Sequence, residues 1–284
     1  MWSIPEKLKK TLGGRAEGAA WLDGLGALVS DFSQRWTLVL DPPFQDEASC
    51  SWVAACRCDD GSPAVLKIGF PHMEAEHEID GLAFWQGDPA VRLLKADRQR
   101  QAMLLERCEP GRVLRGLPEP EQDEIIAGLL KRLWRRPHAR SPFRPLAEMI
   151  RHWCEESVEQ ADRWADAGIA QEGLQVYEEL LDARIDPVVL AADLHAGNVL
   201  SARRQPWLVI DPKPFVGDPC YDATQHLLNC EERLTAKPLE TIARFADLLD
   251  VDFDRVRRWM FARLAVDING RMEENQALAR RLTS

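Results

Sequence analysis

No stretch of this chain approaches the ~20 consecutive apolar residues that a membrane-crossing helix needs, although 45% of its 284 residues are hydrophobic. Apolar side chains spread that evenly belong to a packed core, and the length has room for one large domain or two smaller ones. The N-terminal MWSIPEKLKKTLGG carries lysines but no uninterrupted apolar segment after them, so no secretory signal is expected. The seven cysteines contain no C-x-x-C pair, their number is odd, and Cys56 and Cys58 would share one face of a strand. Free thiols in a reducing, cytoplasmic setting are the simplest expectation. Positive charge is also short: 36 Lys and Arg against 46 Asp and Glu leave a formal net charge of −10. That argues against a nonspecific nucleic-acid binder, which needs a basic surface. An acidic balance suits a cationic ligand, but it is also a common solubility device and selects no substrate.

What is present is a change of texture along the chain. Trp21, Leu25, Leu28, Val29 and Phe32 fall at helical spacing, predicting an amphipathic helix over 16–34. Strand-like segments follow at 36–40, 52–58, 64–68, 90–94 and 102–106, with a helix expected over 74–85. Asp59-Asp60-Gly61-Ser62 is a hairpin signal between the second and third strands, and 97–100 supplies the turn between the last two. After Pro110-Gly111 the pattern turns helical, with candidates at 120–136, 145–166, 171–183, 222–234, 238–249, 252–266 and 273–283. The plan is α+β and bilobal: a small antiparallel sheet lobe over 1–107, then a larger helical lobe over 108–284.

The only strand-like interruption in the helical half carries the polar residues of interest. Val188-Val189-Leu190 leads into the turn Asp193-Leu-His-Ala-Gly-Asn198; Val199-Leu200 and Trp207–Ile210 then pair as a hairpin that ends at Asp211. Asp193, Asn198 and Asp211 would emerge at one end of that hairpin. Asp and Asn are ordinary turn formers, and any one of them alone would be read that way. The ordered set D-x-H-x-x-N followed by a strand ending in Asp is another matter. It is the arrangement of kinase-type enzymes, a base aspartate with two oxygen ligands for magnesium.

Lys67, inward within AVLKIG, needs a partner if it is buried. A kinase-type strand lysine contacts nucleotide phosphates and pairs with a glutamate of the next helix. Among Glu74, Glu76 and Glu78, the last lies nearest the centre of the stripe formed by Ile79, Leu82 and Trp85, and is the expected partner. The nucleotide loop, 47–51, has no G-x-G-x-x-G; its small residues, Ser49 and Ser51 among them, permit close backbone approach to phosphates. Glu106 and Cys108, where a strand runs into the connector, are placed to offer backbone groups to an adenine. His195 has no second histidine or cysteine at ligand spacing, so zinc is not expected and a brace for the loop is. Lys213 reaches either a phosphate, the substrate or solvent, and Asp218 and Asp222 are expected to cap the helix that begins near 222.

On AVLKIGFPHMEAEHE, AMLLERCEPG, DLHAGNVL and PWLVIDPKPFVGDPCYD, the chain resembles the aminoglycoside phosphotransferase superfamily, in its streptomycin 6-kinase and hydroxyurea phosphotransferase branch. The resemblance covers nearly the whole chain. It implies a protein-kinase-like fold, ATP and Mg2+ as cofactors, and transfer of the γ-phosphoryl group to a small-molecule hydroxyl, as in antibiotic resistance. Carried over by motif position, Asp193 resembles the catalytic aspartate, Asn198 and Asp211 the magnesium ligands, and Lys67 with Glu78 the phosphate-positioning pair. Most relatives have His-Gly-Asp where this chain has Ala191-Ala192-Asp193, so support for the loop must come from elsewhere. A dicationic aminoglycoside would want carboxylates, for which Glu155, Glu156, Asp182, Glu231 and Glu232 are candidates. The alternatives are a sugar or amino-sugar kinase and a catalytically silent kinase-fold binding protein. A protein kinase is disfavoured because GDP-x-YD follows Asp211 at once, with no activation segment ending in Ala-Pro-Glu.

Overall fold

The structure, a computed structural model, describes residues 2–45, 48–268 and 271–283. The chain divides into two compact units. One runs through Gly111 and includes the returning loop Ser201–Leu208; the other holds Arg112–Leu200 and the residues from Val209 on.

The first unit is built on a five-stranded antiparallel sheet of order β1-β2-β3-β5-β4. Its strands are β1 (Val39–Pro43), β2 (Ser51–Arg57), β3 (Pro63–Gly69), β4 (Leu93–Asp97) and β5 (Ala102–Glu106). Alternation puts Trp52, Ala54, Cys56, Ala64, Leu66, Ile68, Ala102 and Leu104 on one face. There they join Leu8 and Leu12 of α1 (Glu6–Leu12) and Leu22, Leu25, Val29 and Phe32 of α2 (Ala16–Arg35) in one buried cluster. The helix expected over 16–34 is therefore α2, while α1 was too short for its periodicity to register. Two strands are displaced from their expected positions. Trp36 and Leu38 are buried as a strand would have them, but Trp36 caps α2 and Thr37 takes a left-handed turn (φ 55°), so pairing starts only at Val39. Ala90 and Val91 are likewise buried ahead of β4 rather than within it. The helix expected over 74–85 opens as a 3-10 turn (Met73–Ala75) and becomes α3 only from Glu78 to Trp85.

Next along the chain, β6 (Pro110–Val113), which begins in the first unit, precedes α4 (Glu119–Leu133), α5 (Leu146–Glu159) and α6 (Ala167–Asp182) of the second. Then come β7 (Val188–Leu190), β8 (Val199–Ala202), β9 (Trp207–Val209) and β10 (Phe215–Gly217). β10 pairs antiparallel with β7, while β6, β8 and β9 are neighbours in a three-stranded sheet. The helices α7 (Pro219–Leu228), α8 (Glu231–Ala236), α9 (Pro238–Leu249), α10 (Phe253–Val266) and α11 (Met272–Arg280) complete it. The single helix expected over 222–234 is thus two, broken after Leu228. α10 is buried along most of its length and packs on α6. Gly173 permits that approach, because a Cβ there would stand 2.6 Å from the Cβ of Ala265.

Candidate active site

Lys67 lies in the middle of β3, opposite Val53 of β2 and Met103 of β5, on the sheet face away from α2. Its Nζ is 2.7 Å from each carboxylate oxygen of Glu78, the first residue of α3. Both side chains are almost wholly out of solvent. A buried ammonium held bidentately by a buried carboxylate is an expensive arrangement that hydrophobic residues could replace. Its presence marks a lysine whose position matters.

The other residues expected near a nucleotide are less committed. Ser51 opens β2, half-buried and paired with Gly69; Ser49 is exposed; Glu47 lies outside the described residues. The backbone N–H of Glu106, expected to face an adenine, instead donates to Arg92 O at 2.9 Å and is not available to a base. Its side chain is occupied too, accepting from Arg204 Nε and Nη2 at 2.9 Å each and from Arg92 N–H at 3.0 Å. Burial opposes its ionisation, but these hydrogen bonds outweigh it and hold the carboxyl below the ordinary range. Arg204 also reaches Ala90 O, and this staple explains why the Ser201–Leu208 loop belongs to the first unit. Burial pushes the Cys108 thiol up to about 11, leaving it protonated and unreactive.

The turn after β7 holds the second set. Asn198 Nδ2 donates to Asp193 O at 2.9 Å, which fixes its amide and leaves Oδ1 as the atom to face a cation. Ile210 N–H donates to Asn198 O at 2.9 Å, and Lys213 N–H to Ala191 O at 2.8 Å. These bonds stitch the turn to the segment after β9, so Asp193, Asn198 and Asp211 come together as the hairpin geometry implies, and Lys213 joins them. Asp193 is gripped at both oxygens: Gln225 Nε2 donates to Oδ1 at 2.8 Å, and Lys213 Nζ is 2.8 Å from Oδ2. The sequence leaves Lys213 a phosphate, the substrate or solvent; in the structure it pairs instead with the carboxylate of Asp193.

Support for the turn comes from Asp222. It does not cap α7; Asp218 does, accepting from Cys220 N–H at 3.0 Å. Asp222 instead lies one turn inside the helix, buried, and its Oδ1 and Oδ2 accept from the N–H groups of Ala192 (2.7 Å) and Ala191 (3.0 Å). Trp134 Nε1 adds a third donor at 3.0 Å. Burial pushes the carboxyl up to about 6 against the pull of these donors. Because the contacts run to backbone, they are indifferent to the side chains at 191 and 192. His195 adds a smaller brace. Its Nδ1 accepts from Gly197 N–H at 3.0 Å and lies 3.2 Å from Arg115 Nη2. Burial draws the imidazole below its usual value despite nearby Asp193, so the ring is neutral, as an accepting Nδ1 requires.

Ala192 and Asp211 both have left-handed backbone, φ 53° and 52°. For Asp this is a tolerated conformation; for Ala it stores strain, on the order of 1–2 kcal/mol. The donor set for a cation, Asn198 amide oxygen and Asp211 carboxylate, consists of hard oxygens and fits magnesium, which takes one or two carboxylates and fills its remaining positions with phosphate and water.

Another cluster of ligand-type side chains, Asp123, His226 and Cys230, is buried in the second unit. Asp123 already accepts from Arg233 Nη1 and Nη2 (2.6 and 2.7 Å), His226 Nε2 (2.8 Å) and Arg244 Nε (3.2 Å). Burial opposes its ionisation, but these donors overcome it and hold the carboxyl at about 2. Two guanidinium groups beside one carboxylate leave no electrostatic reason for a dication. The cluster is an ionic lock joining α4, α7, α8 and α9. Among the described residues no helix is long and apolar enough to cross a membrane.

Residues 35–273 match the family described as aminoglycoside/hydroxyurea antibiotic resistance kinase. The chain is 35% identical over 277 residues to streptomycin 6-kinase of Streptomyces griseus, covering 92% of this chain and 88% of that one. It is 34% identical over 274 residues to hydroxyurea phosphotransferase of Kitasatospora aureofaciens, covering 93% and 78%. Among solved structures, choline kinase LicA from Streptococcus pneumoniae superimposes with a TM-score of 0.62 at 12% identity, over 91% of this chain and 96% of that one. A type I macrolide 2'-phosphotransferase gives 0.51 at 18%, over 90% and 96%. At such identities the structures speak for the kinase-like fold alone.

Proposed function

We propose that this chain, which belongs to the aminoglycoside/hydroxyurea antibiotic resistance kinase family, moves the γ-phosphoryl group of ATP, with magnesium, to a hydroxyl of streptomycin or hydroxyurea. Phosphotransfer to a small molecule is common to its named relatives. The observation that carries the reading is the grip on Asp193. A carboxylate fixed at both oxygens by Lys213 and Gln225, on a turn that also presents Asn198 and Asp211, suits a base that must meet a hydroxyl in one orientation.

In this reading Asp193 accepts or orients the acceptor's proton, and Lys213 holds one of its carboxylate oxygens in place. Asn198 and Asp211 hold the cation, which when bound neutralises charge on the phosphates. Lys67, set by Glu78, positions the phosphates. The transition state of phosphoryl transfer is loose, so the protein's work is positioning and neutralisation rather than covalent chemistry. Asp222 contributes by holding the turn through backbone N–H groups. That support makes the Ala191-Ala192 sequence compatible with catalysis and weakens the case for a silent binding protein.

The test is a phosphorylation screen with ATP, with and without Mg2+, against streptomycin, other aminoglycosides, hydroxyurea and amino sugars, read as an ~80 Da gain in product mass. A phosphorylated aminoglycoside or hydroxyurea supports the reading. A product found only with an amino sugar would move the chain to metabolite kinases, and ATP binding with no product from any acceptor would overturn it.

A further inference from the structure

Gln225 makes a contact that no motif foreshadows. It lies on α7, and its amide is used at both ends: Nε2 donates to Asp193 Oδ1 and Oε1 accepts from Arg263 Nη2, each at 2.8 Å. The two contacts fix the amide's orientation. Turned over, it would set oxygen against a carboxylate and N–H against a guanidinium. Arg263 is itself pinned, with Nη1 donating to Thr224 Oγ1 at 2.7 Å and its guanidinium carbon 5.0 Å from the Tyr221 ring and 5.8 Å from the Trp153 ring. Arg263 also forms part of the wall of a cavity of about 230 Å³ within the second unit, together with Trp153, Glu156, Tyr177, Asp267 and Asn275. Of the carboxylates considered for acceptor binding, Glu156 lines this cavity. Glu231 lines an adjoining hollow, and Glu155, Asp182 and Glu232 line neither.

We propose that Arg263 and Gln225 form a positioning relay between this cavity and Asp193, and that the cavity receives a hydroxyl- and amine-bearing portion of the acceptor. The proposal rests on the phosphotransferase reading for its chemistry and on the Arg263–Gln225–Asp193 chain of hydrogen bonds for its geometry. Polar lining fits such a ligand: Glu156 and Asp267 accept, and Asn275 both donates and accepts. A group lodged there meets Arg263 directly, and through it the amide that aims one oxygen of Asp193. Gln225 and Arg263 are positioning residues, since neither needs to touch the reacting hydroxyl. Small errors of aim at a reacting carboxylate are costly, on the order of 100-fold in rate for an ångström.

Steady-state transfer to streptomycin at saturating MgATP, measured for Gln225→Leu, Arg263→Met and the double variant, tests the relay. Gln225→Leu should lower kcat roughly 10–100-fold with little change in KM for MgATP. Arg263→Met should lower kcat and raise KM for the acceptor. If the two act in series, the double variant falls no further in kcat than the worse single one. Arg263→Lys, which keeps a donor at that place, should recover part of kcat, whereas a merely structural role would show in melting temperature and not in this pattern. Multiplicative losses of kcat, or losses confined to KM for MgATP, would overturn the proposal. If the wild-type enzyme phosphorylates nothing in the panel, the functional reading fails but the relay is still decided by NMR of the Gln225 side-chain amide, assigned by its loss in Gln225→Leu. Arg263→Met should shift that signal away from its wild-type position, and an unchanged signal would sink the relay.

Discussion

Replacing Glu78 by Gln tests whether Lys67 owes its position to that carboxylate. The two side chains are 7% and 4% exposed, and Lys67 Nζ meets both carboxylate oxygens at 2.7 Å. Removing one charge from a buried pair is destabilising by about 3–5 kcal/mol, because the other charge stays buried without its counterion. At ~2–4 °C per kcal/mol for a domain of this size, the melting temperature should fall by roughly 6–20 °C. The double variant Lys67→Met, Glu78→Leu behaves differently. It removes both charges and substitutes apolar groups of similar volume, a change that is often neutral or stabilising. Its melting temperature should therefore stay near wild type while its response to nucleotide is lost. A ligand at 100 times its Kd stabilises by about 2.7 kcal/mol, so wild type should gain roughly 5–11 °C with MgATP on the same conversion and the double variant nothing. Differential scanning calorimetry at pH 7.5, with and without MgATP, reads all three proteins. The reasoning is refuted if Glu78→Gln melts within ~2 °C of wild type, under 1 kcal/mol on that scale. It is refuted equally if the double variant is less stable than the single one.

Asp193→Asn should reduce transfer by a factor on the order of 10²–10⁴ while the MgATP-induced rise in melting temperature remains; full activity would remove Asp193 from its role. Ala192→Gly releases a left-handed residue (φ 53°) from steric strain and should raise stability by roughly 1 kcal/mol in urea unfolding, the strain outweighing the extra freedom of an unfolded glycine. Asp222→Asn puts an NH2 group against one of three N–H donors, and should lower kcat at least 10-fold with KM for ATP unchanged, since it loosens the turn and not the nucleotide's own contacts. Asp123 gives the pH dependence. Its folded value of about 2 lies below the unfolded value near 3.9, so its contribution is present above pH ~4 and lost as pH falls towards 2, roughly 2–3 kcal/mol in all. Asp123→Asn should therefore be less stable at neutral pH and show a shallower acid limb in pH-dependent unfolding.

Much of this was legible from residue spacing because the site is made of short-range patterns. Two apolar runs and the polar residues at their ends place Asp193, Asn198 and Asp211 together through hairpin geometry alone. The strand position of Lys67 and the stripe of α3 likewise single out Glu78. Strand limits were less legible. Trp36 and Leu38 are as apolar as strand residues, but burial beside α2 is what their hydrophobicity reports, not pairing. Glu106 shows a related limit. That a strand runs into a connector says which backbone is nearby, but not that the Glu106 N–H already donates to Arg92 O and its carboxylate already holds Arg204, partners 14 and 98 residues away in sequence.

The groups that hold Asp193 were hidden for a deeper reason. Asp222 reads as a helix-capping residue because caps and loop anchors draw on the same side chains, and only the fold decides which N–H groups lie within reach. Here those groups belong to Ala191 and Ala192, where the family resemblance leads one to expect His-Gly. Ala192 puts a methyl group on a left-handed backbone, yet the anchor binds neither alanine's side chain. A buried carboxylate on α7 accepting from two consecutive N–H groups enforces the turn whatever stands there, provided the strain at Ala192 stays below the energy of hydrogen bonds to a charged acceptor, about 1.5–3 kcal/mol each. Gln225, three residues further along α7, then meets the same turn from the same rigid helix. One helix thus sets both the backbone that carries Asp193 and the direction in which its carboxylate points, so the turn's own sequence is under less constraint than its chemistry suggests.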